Sequence, residues 1–245
     1  MSFWDRKAAA ERIASYQMQE TIFRLTSEAK QRNSSKVFLS GHSMGGMILG
    51  KTIAPTVKTL LLASRGTGVE FPPDLVLLEN PALESLSVFQ LIDYLKRENI
   101  QAELRYPDGR RERAPGPVVA SITSEADWVT SLAYSAGQAV ENVRTSFRDD
   151  LGPGIPTQGD LVKTAHGHHD LLISHRAYLE DGELVIEAIP DAYNDTPFWI
   201  IQTSSDICAH HGDIYNDRFL ELTERITKLN RLYETGVTTW LRPMN

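Results

Sequence analysis

The run Gly41-His42-Ser43-Met44-Gly45-Gly46 stands between two apolar stretches of different character, and this junction limits the fold more than any other feature of the chain. Ahead of it, Val37, Phe38 and Leu39 form a short β-prone run. Behind it, from Met44 onward, the residues are apolar and suited to a helix, which Pro55 is expected to kink or split. Passing from extended to helical backbone in so few residues needs a tight turn without bulky Cβ groups beside Ser43, and Gly41, Gly45 and Gly46 supply that on both sides. The expected unit is strand, sharp turn, helix.

The same alternation continues downstream. Pro72, Pro73 and Asp74 lead into Leu75 to Leu78, a continuous apolar run of the kind found in strands buried on both faces. Ser85 is placed to cap a helix whose Leu86, Phe89, Ile92 and Leu95 share one face. Val118 to Ile122 reads as another buried strand, and Leu132, Ala136, Val140, Val143 and Phe147 as the next helical stripe. Phe198 to Thr203 is a last apolar strand, followed by a closing helix marked by Phe219, Leu222, Ile226 and Leu229. Upstream of the junction, Met18, Ile22, Leu25 and Ala29 repeat at helical spacing, so that Trp4 to Gln31 is expected to be one amphipathic helix. Strands and helices that alternate at intervals too long for hairpins imply a mainly parallel sheet with helices on both faces, the α/β class. One domain over residues 1–245 is expected. Within it, 149–197 reads as an insertion or cap, because Gly and Pro gather there and Asp181-Gly182 signals a hairpin.

Charge narrows the partners. A net charge of -7 argues against nucleic acid or an anionic membrane surface, since both demand clustered Lys and Arg. The one basic cluster, Arg110, Arg111 and Arg113, follows Pro107-Asp108-Gly109 and reads as a solvated turn. No apolar run in the sequence reads as a membrane span or a leader. Cys208 is the sole cysteine, which rules out an intrachain disulfide and reads as a small packing residue. A cytoplasmic location is the expectation.

Gly41 to Gly45 also matches the pattern GxSxG, in which a strained turn projects a serine hydroxyl above the carboxyl ends of the strands. The run Gly41 to Gly46 resembles the nucleophile elbow of the α/β-hydrolase family, in particular its lipases and esterases. The resemblance implies a partial form of that fold and a triad in the order Ser, acid, His. Ser43 is then the nucleophile. Seven histidines compete to be its base. His42 is expected to point away from its neighbour, and His166, His168 and His169 lie in the supposed insertion. His210 and His211 follow the last strand, where the family carries its base; His211 is preferred because Gly212 frees its loop, with His210 the alternative. Asp127, after the strand ending near Ile122, is the expected acid, with Glu125 and Glu79 as alternatives and helix capping as its simpler role. Met44 is expected to give one backbone N–H to an oxyanion hole. No second donor is found, because the residues before Ser43 are taken up by one helix and one strand.

The activity so implied is hydrolysis of a small-molecule carboxylic ester through an acyl-enzyme; the alternative is a weak or inactive hydrolase-like binding module. No cofactor is expected. His166-Gly167-His168-His169-Asp170 holds ligand types for zinc but is read as a polar loop, with no metal. Because nothing is left to cover one side of Val37 to Leu39, that strand is expected at the border of a sheet built around four parallel strands, where a homodimer could form.

Overall fold

The computed structural model describes residues 3–14, 16–31, 35–134 and 155–244. The expected helical stripe from Leu132 to Phe147 lies mostly outside these residues, and so does the start of the 149–197 segment. Two helices, α1 (Phe3–Ile13) and α2 (Tyr16–Gln31), stand where one was expected, with Ala14 in a turn between them. Then come β1 (Phe38–His42), α3 (Met44–Ala63), β2 (Val69–Glu70), β3 (Leu75–Glu79), α4 (Ser85–Arg97), β4 (Ile100–Arg105), β5 (Arg111–Arg113) and β6 (Val119–Ser124). The C-terminal part holds β7 (His175–Glu180), β8 (Glu183–Ala188), β9 (Phe198–Thr203), a helix over Asp217–Leu229 and β10 (Thr238–Pro243).

Among the described residues these strands make two sheets. The larger runs β1-β3-β6-β9-β7-β8, parallel throughout except for the β7–β8 hairpin. The chain is thus an α/β protein with a mixed, mostly parallel sheet. β1 lies at its border, paired on one side only, with Phe38 exposed. The hairpin at 175–188, expected within an insertion, continues the main sheet instead: β7 pairs with β9, and Asp181 (φ 51°) and Gly182 (φ 81°) make the two-residue turn that such a positive-φ pair favours. The second sheet, β2-β10-β4-β5, is antiparallel and was not expected; it takes Arg111 and Arg113 into its edge strand and leaves Arg110 in the turn.

β3 shows why the main sheet needs helices on both faces. Leu75, Val76, Leu77 and Leu78 are all essentially inaccessible to solvent. Val76 and Leu78 pack with Met47, Ile53 and Val57 of α3 and Ile92 of α4, while Leu75 and Leu77 pack with Phe219, Leu222 and Ile226 of the helix at 217–229. Each such side chain contributes roughly 1.5–3 kcal/mol by its burial. Asn216 caps that helix, accepting from Phe219 N at 2.9 Å.

Two local expectations are corrected. Pro55 lies inside α3 without splitting it. Ser85 is the first helical residue of α4 rather than its cap, and its hydroxyl donates to the Thr164 carbonyl at 2.7 Å. At 20 residues and a mean hydropathy of 1.2, α3 is long and apolar enough to cross a bilayer, yet Met47, Leu49, Ile53, Val57 and Leu61 are buried in the sheet's core.

Candidate active site

The elbow is assembled from the end of β1. Ser43 N donates to the Glu79 carbonyl at 2.9 Å, which fixes the turn against β3. Ser43 itself sits at φ 55°, ψ -115°, a region L-residues avoid, at a cost of about 1–3 kcal/mol. Two of the three glycines are needed for space. A Cβ on Gly41 would lie 2.7 Å from the Gly45 carbonyl carbon, and one on Gly46 would lie 2.8 Å from both the Gly41 carbonyl oxygen and Pro81 Cβ. Gly45 differs from the sequence expectation, for a Cβ there meets nothing within 4 Å. Gly46→Ala should therefore lower stability by roughly 1–3 kcal/mol, because backbone must move to admit the methyl. Gly45→Ala should be neutral or stabilising by up to about 1 kcal/mol. Urea midpoints of the two variants test this, and equal midpoints would refute the packing argument.

A serine at a helix N-terminus commonly caps it, but Ser43 makes no capping bond to α3. Its Oγ lies 2.8 Å from His211 Nε2, and His211 Nδ1 lies 2.7 Å from Asp127 Oδ2. Residues 43, 127 and 211, from the turns and loops that follow β1, β6 and β9, are thus brought into one hydrogen-bonded chain. Asp127 is wholly buried, and His211 retains 19% of its side-chain exposure. Asp127 Oδ1 also accepts from Val129 N at 3.0 Å and Thr130 N at 3.3 Å, at the start of the turn that follows. Thr130 Oγ1 donates to Oδ2 at 2.6 Å. Burial alone would raise the acid's pKa, but the bonds from His211 and Thr130 outweigh it and hold the carboxyl below its ordinary value.

His211 is anchored by its backbone. The His211 carbonyl accepts from His42 Nε2 at 2.9 Å and from Asn80 Nδ2 at 2.9 Å. Asn80 is fully buried at φ 42°, just past β3, and its Oδ1 accepts from Ser124 N at 2.9 Å. One amide thereby ties the ends of β3 and β6 to the loop after β9. The His42 ring turns toward His211, with the two ring centroids 4.9 Å apart. Neither contact was legible, because each joins residues more than 130 positions apart.

The remaining candidates fall elsewhere. His210 is exposed. Glu125 Oε1 accepts from Ser205 N at 3.2 Å, so it pairs with a backbone amide. Glu79 accepts from Ser40 Oγ at 3.0 Å, and burial raises its pKa. His166 is wholly buried between Ser121 Oγ at 2.6 Å and the Leu83 carbonyl at 3.1 Å, and burial pushes it down to about 4. Among the described residues, no three His, Cys, Asp or Glu side chains converge as a metal-ligand set. Cys208 is buried, which raises its thiol pKa.

Met44 N is the first backbone amide of α3 and has no intrahelical acceptor, so it is free to face an anion beside Ser43. Among the described residues no strand covers the open side of β1. The chain matches no protein-family model, no curated protein and no solved structure.

Proposed function

We propose that the chain is a serine hydrolase of the α/β-hydrolase kind that cleaves a carboxylic ester. The observation that carries this reading is the chain of bonds Ser43 Oγ, His211, Asp127, at 2.8 and 2.7 Å, on a serine with positive φ between strand and helix. In this reading His211 Nε2 takes the Ser43 proton as Oγ attacks the ester carbonyl carbon, and Asp127 stabilises the imidazolium that results. The negative charge then on the carbonyl oxygen faces the Met44 N–H. Collapse of the tetrahedral intermediate breaks the bond to the alcohol, which leaves with the proton from His211. Water, deprotonated by the same ring, then releases the acid and restores Ser43.

A fluorophosphonate probe tests the reading directly. Stoichiometric labelling, mapped to Ser43 by peptide mass spectrometry and absent after acid unfolding, is the expected result. The second reading, a hydrolase-like binding module, draws on the one identified oxyanion donor, and folded protein that takes up no probe would favour it.

A further inference from the structure

The histidine-rich run left over from the sequence lies directly behind the triad. His166–His168 form one 3-10 turn, and a Cβ on Gly167 would sit 2.0 Å from Thr123 Oγ1, so only glycine lets the turn press onto β6. His166 pins that turn from within through Ser121 and Leu83. The half-buried ring of His168 is thereby set with Nε2 at 2.9 Å from Thr130 Oγ1, the hydroxyl that reaches Asp127 Oδ2.

The directions of these bonds follow from the number of protons. Asp127 is ionised and can only accept, so Thr130 must spend its single hydroxyl proton on Oδ2. Toward His168 the hydroxyl can then only accept, which requires the hydrogen of the imidazole to be on Nε2. If that nitrogen carried a lone pair instead, the Thr130 proton would turn to it and Asp127 would lose a donor. The order is therefore His168 to Thr130 to Asp127, with His211 donating to the same Oδ2 from the other side.

We propose that Thr130 and His168 are positioning residues, a two-step donor relay that holds the Asp127 carboxylate in the orientation from which it grips His211. The inference rests on the hydrolase reading for its catalytic consequence but not for its geometry. Neither residue touches Ser43 in this arrangement; each acts through the acid.

The test uses pairs of variants of the full chain. Thr130→Val keeps the shape and removes the hydroxyl, while Thr130→Ser keeps the hydroxyl; His168→Leu removes the ring donor, and His168→Gln retains an N–H. With a short-chain ester, Thr130→Val and His168→Leu should lower kcat by about 10- to 100-fold with KM hardly changed, the scale expected when a catalytic group is slightly misplaced. The Ser and Gln variants should recover most of the loss. A second readout needs no turnover: the His211 Nδ1–H resonance in histidine-labelled protein should be visible in the wild type, vanish into exchange with water in Thr130→Val, and return in Thr130→Ser. An unchanged resonance in Thr130→Val, or a Ser variant no better than the Val variant, would overturn the relay. If the resonances behave as expected while the wild type neither turns over ester nor takes up probe, the relay stands and the hydrolase reading falls.

Discussion

Ser43→Ala and His211→Ala are each expected to cut ester turnover by roughly 10⁴- to 10⁶-fold, and the double variant is expected to be scarcely worse than either single one. In the proposed hydrolase reading the Ser43 hydroxyl is a poor nucleophile until His211 takes its proton across the 2.8 Å contact, so either loss disables the same event. Asp127→Asn belongs to the same series, with a loss of about 10⁴-fold, because an amide that donates toward His211 Nδ1 favours the wrong tautomer. His210→Ala, which removes only an exposed ring, serves as the control and should remain close to wild type. Single-turnover rates with an activated ester would measure all of these. Losses that multiply in the double variant would mean that the serine and the histidine do not work as a unit.

Acid should unfold the protein earlier than its carboxylates alone would dictate. His166 is neutral in the fold, with Nδ1–H on the Leu83 carbonyl and Nε2 accepting from Ser121, and burial lowers its pKa from 6.5 to about 4. The unfolded chain binds that proton near pH 6.5 and the folded chain only near 4, so the stabilisation is complete above about pH 6.5 and is lost as the pH falls toward 4. A shift of that size corresponds to on the order of 3 kcal/mol. His175, stacked on Trp199 at 3.8 Å and also pushed down to about 4 by burial, acts in the same direction. The Asp127 carboxyl is held below its ordinary 3.8, so its stabilisation is lost only as the pH falls through that lower range. Urea midpoints at pH 7.5, 5.5 and 4.5 should fall steeply in the wild type and less steeply in His166→Asn, whose side chain takes up no proton. Parallel slopes would show that the buried imidazole is not the group that titrates.

The parts of this fold that sequence can announce are those carried by local pattern. Leu75 to Leu78 and Phe198 to Thr203 are runs so apolar that burial on both faces is their one stable use, and Asp181-Gly182 provides the positive φ values its hairpin needs. That Ser43, Asp127 and His211 would meet was expected only through the resemblance of Gly41 to Gly46 to a nucleophile elbow, which implied an order of residues after successive strands; the apolar runs located the strands but not the residues. The second sheet was not. Its central strands, Ile100–Arg105 and Thr238–Pro243, are mixed in polarity, and they pair across more than 130 residues. The bonds that hold the site were equally hidden. Nothing near Asn80 in the chain signals that it will meet the Ser124 amide and the His211 carbonyl, and Thr130, although close to Asp127, meets His168 from a loop 38 residues on. Gly45 shows the opposite error, a glycine credited with a steric role that the surrounding space does not impose.

The paired anchoring of the His211 carbonyl has a consequence in time. With His42 and Asn80 both donating to that oxygen, the loop after β9 cannot swing without breaking two bonds at once, one of them from a fully buried amide. What freedom the imidazole keeps is rotation about its own two side-chain torsions, a motion of picoseconds to nanoseconds, whereas loop displacement takes nanoseconds to microseconds. Under the hydrolase reading, a ring that has picked up a proton from Ser43 would then tilt to deliver it to the leaving alcohol before the backbone has had time to move.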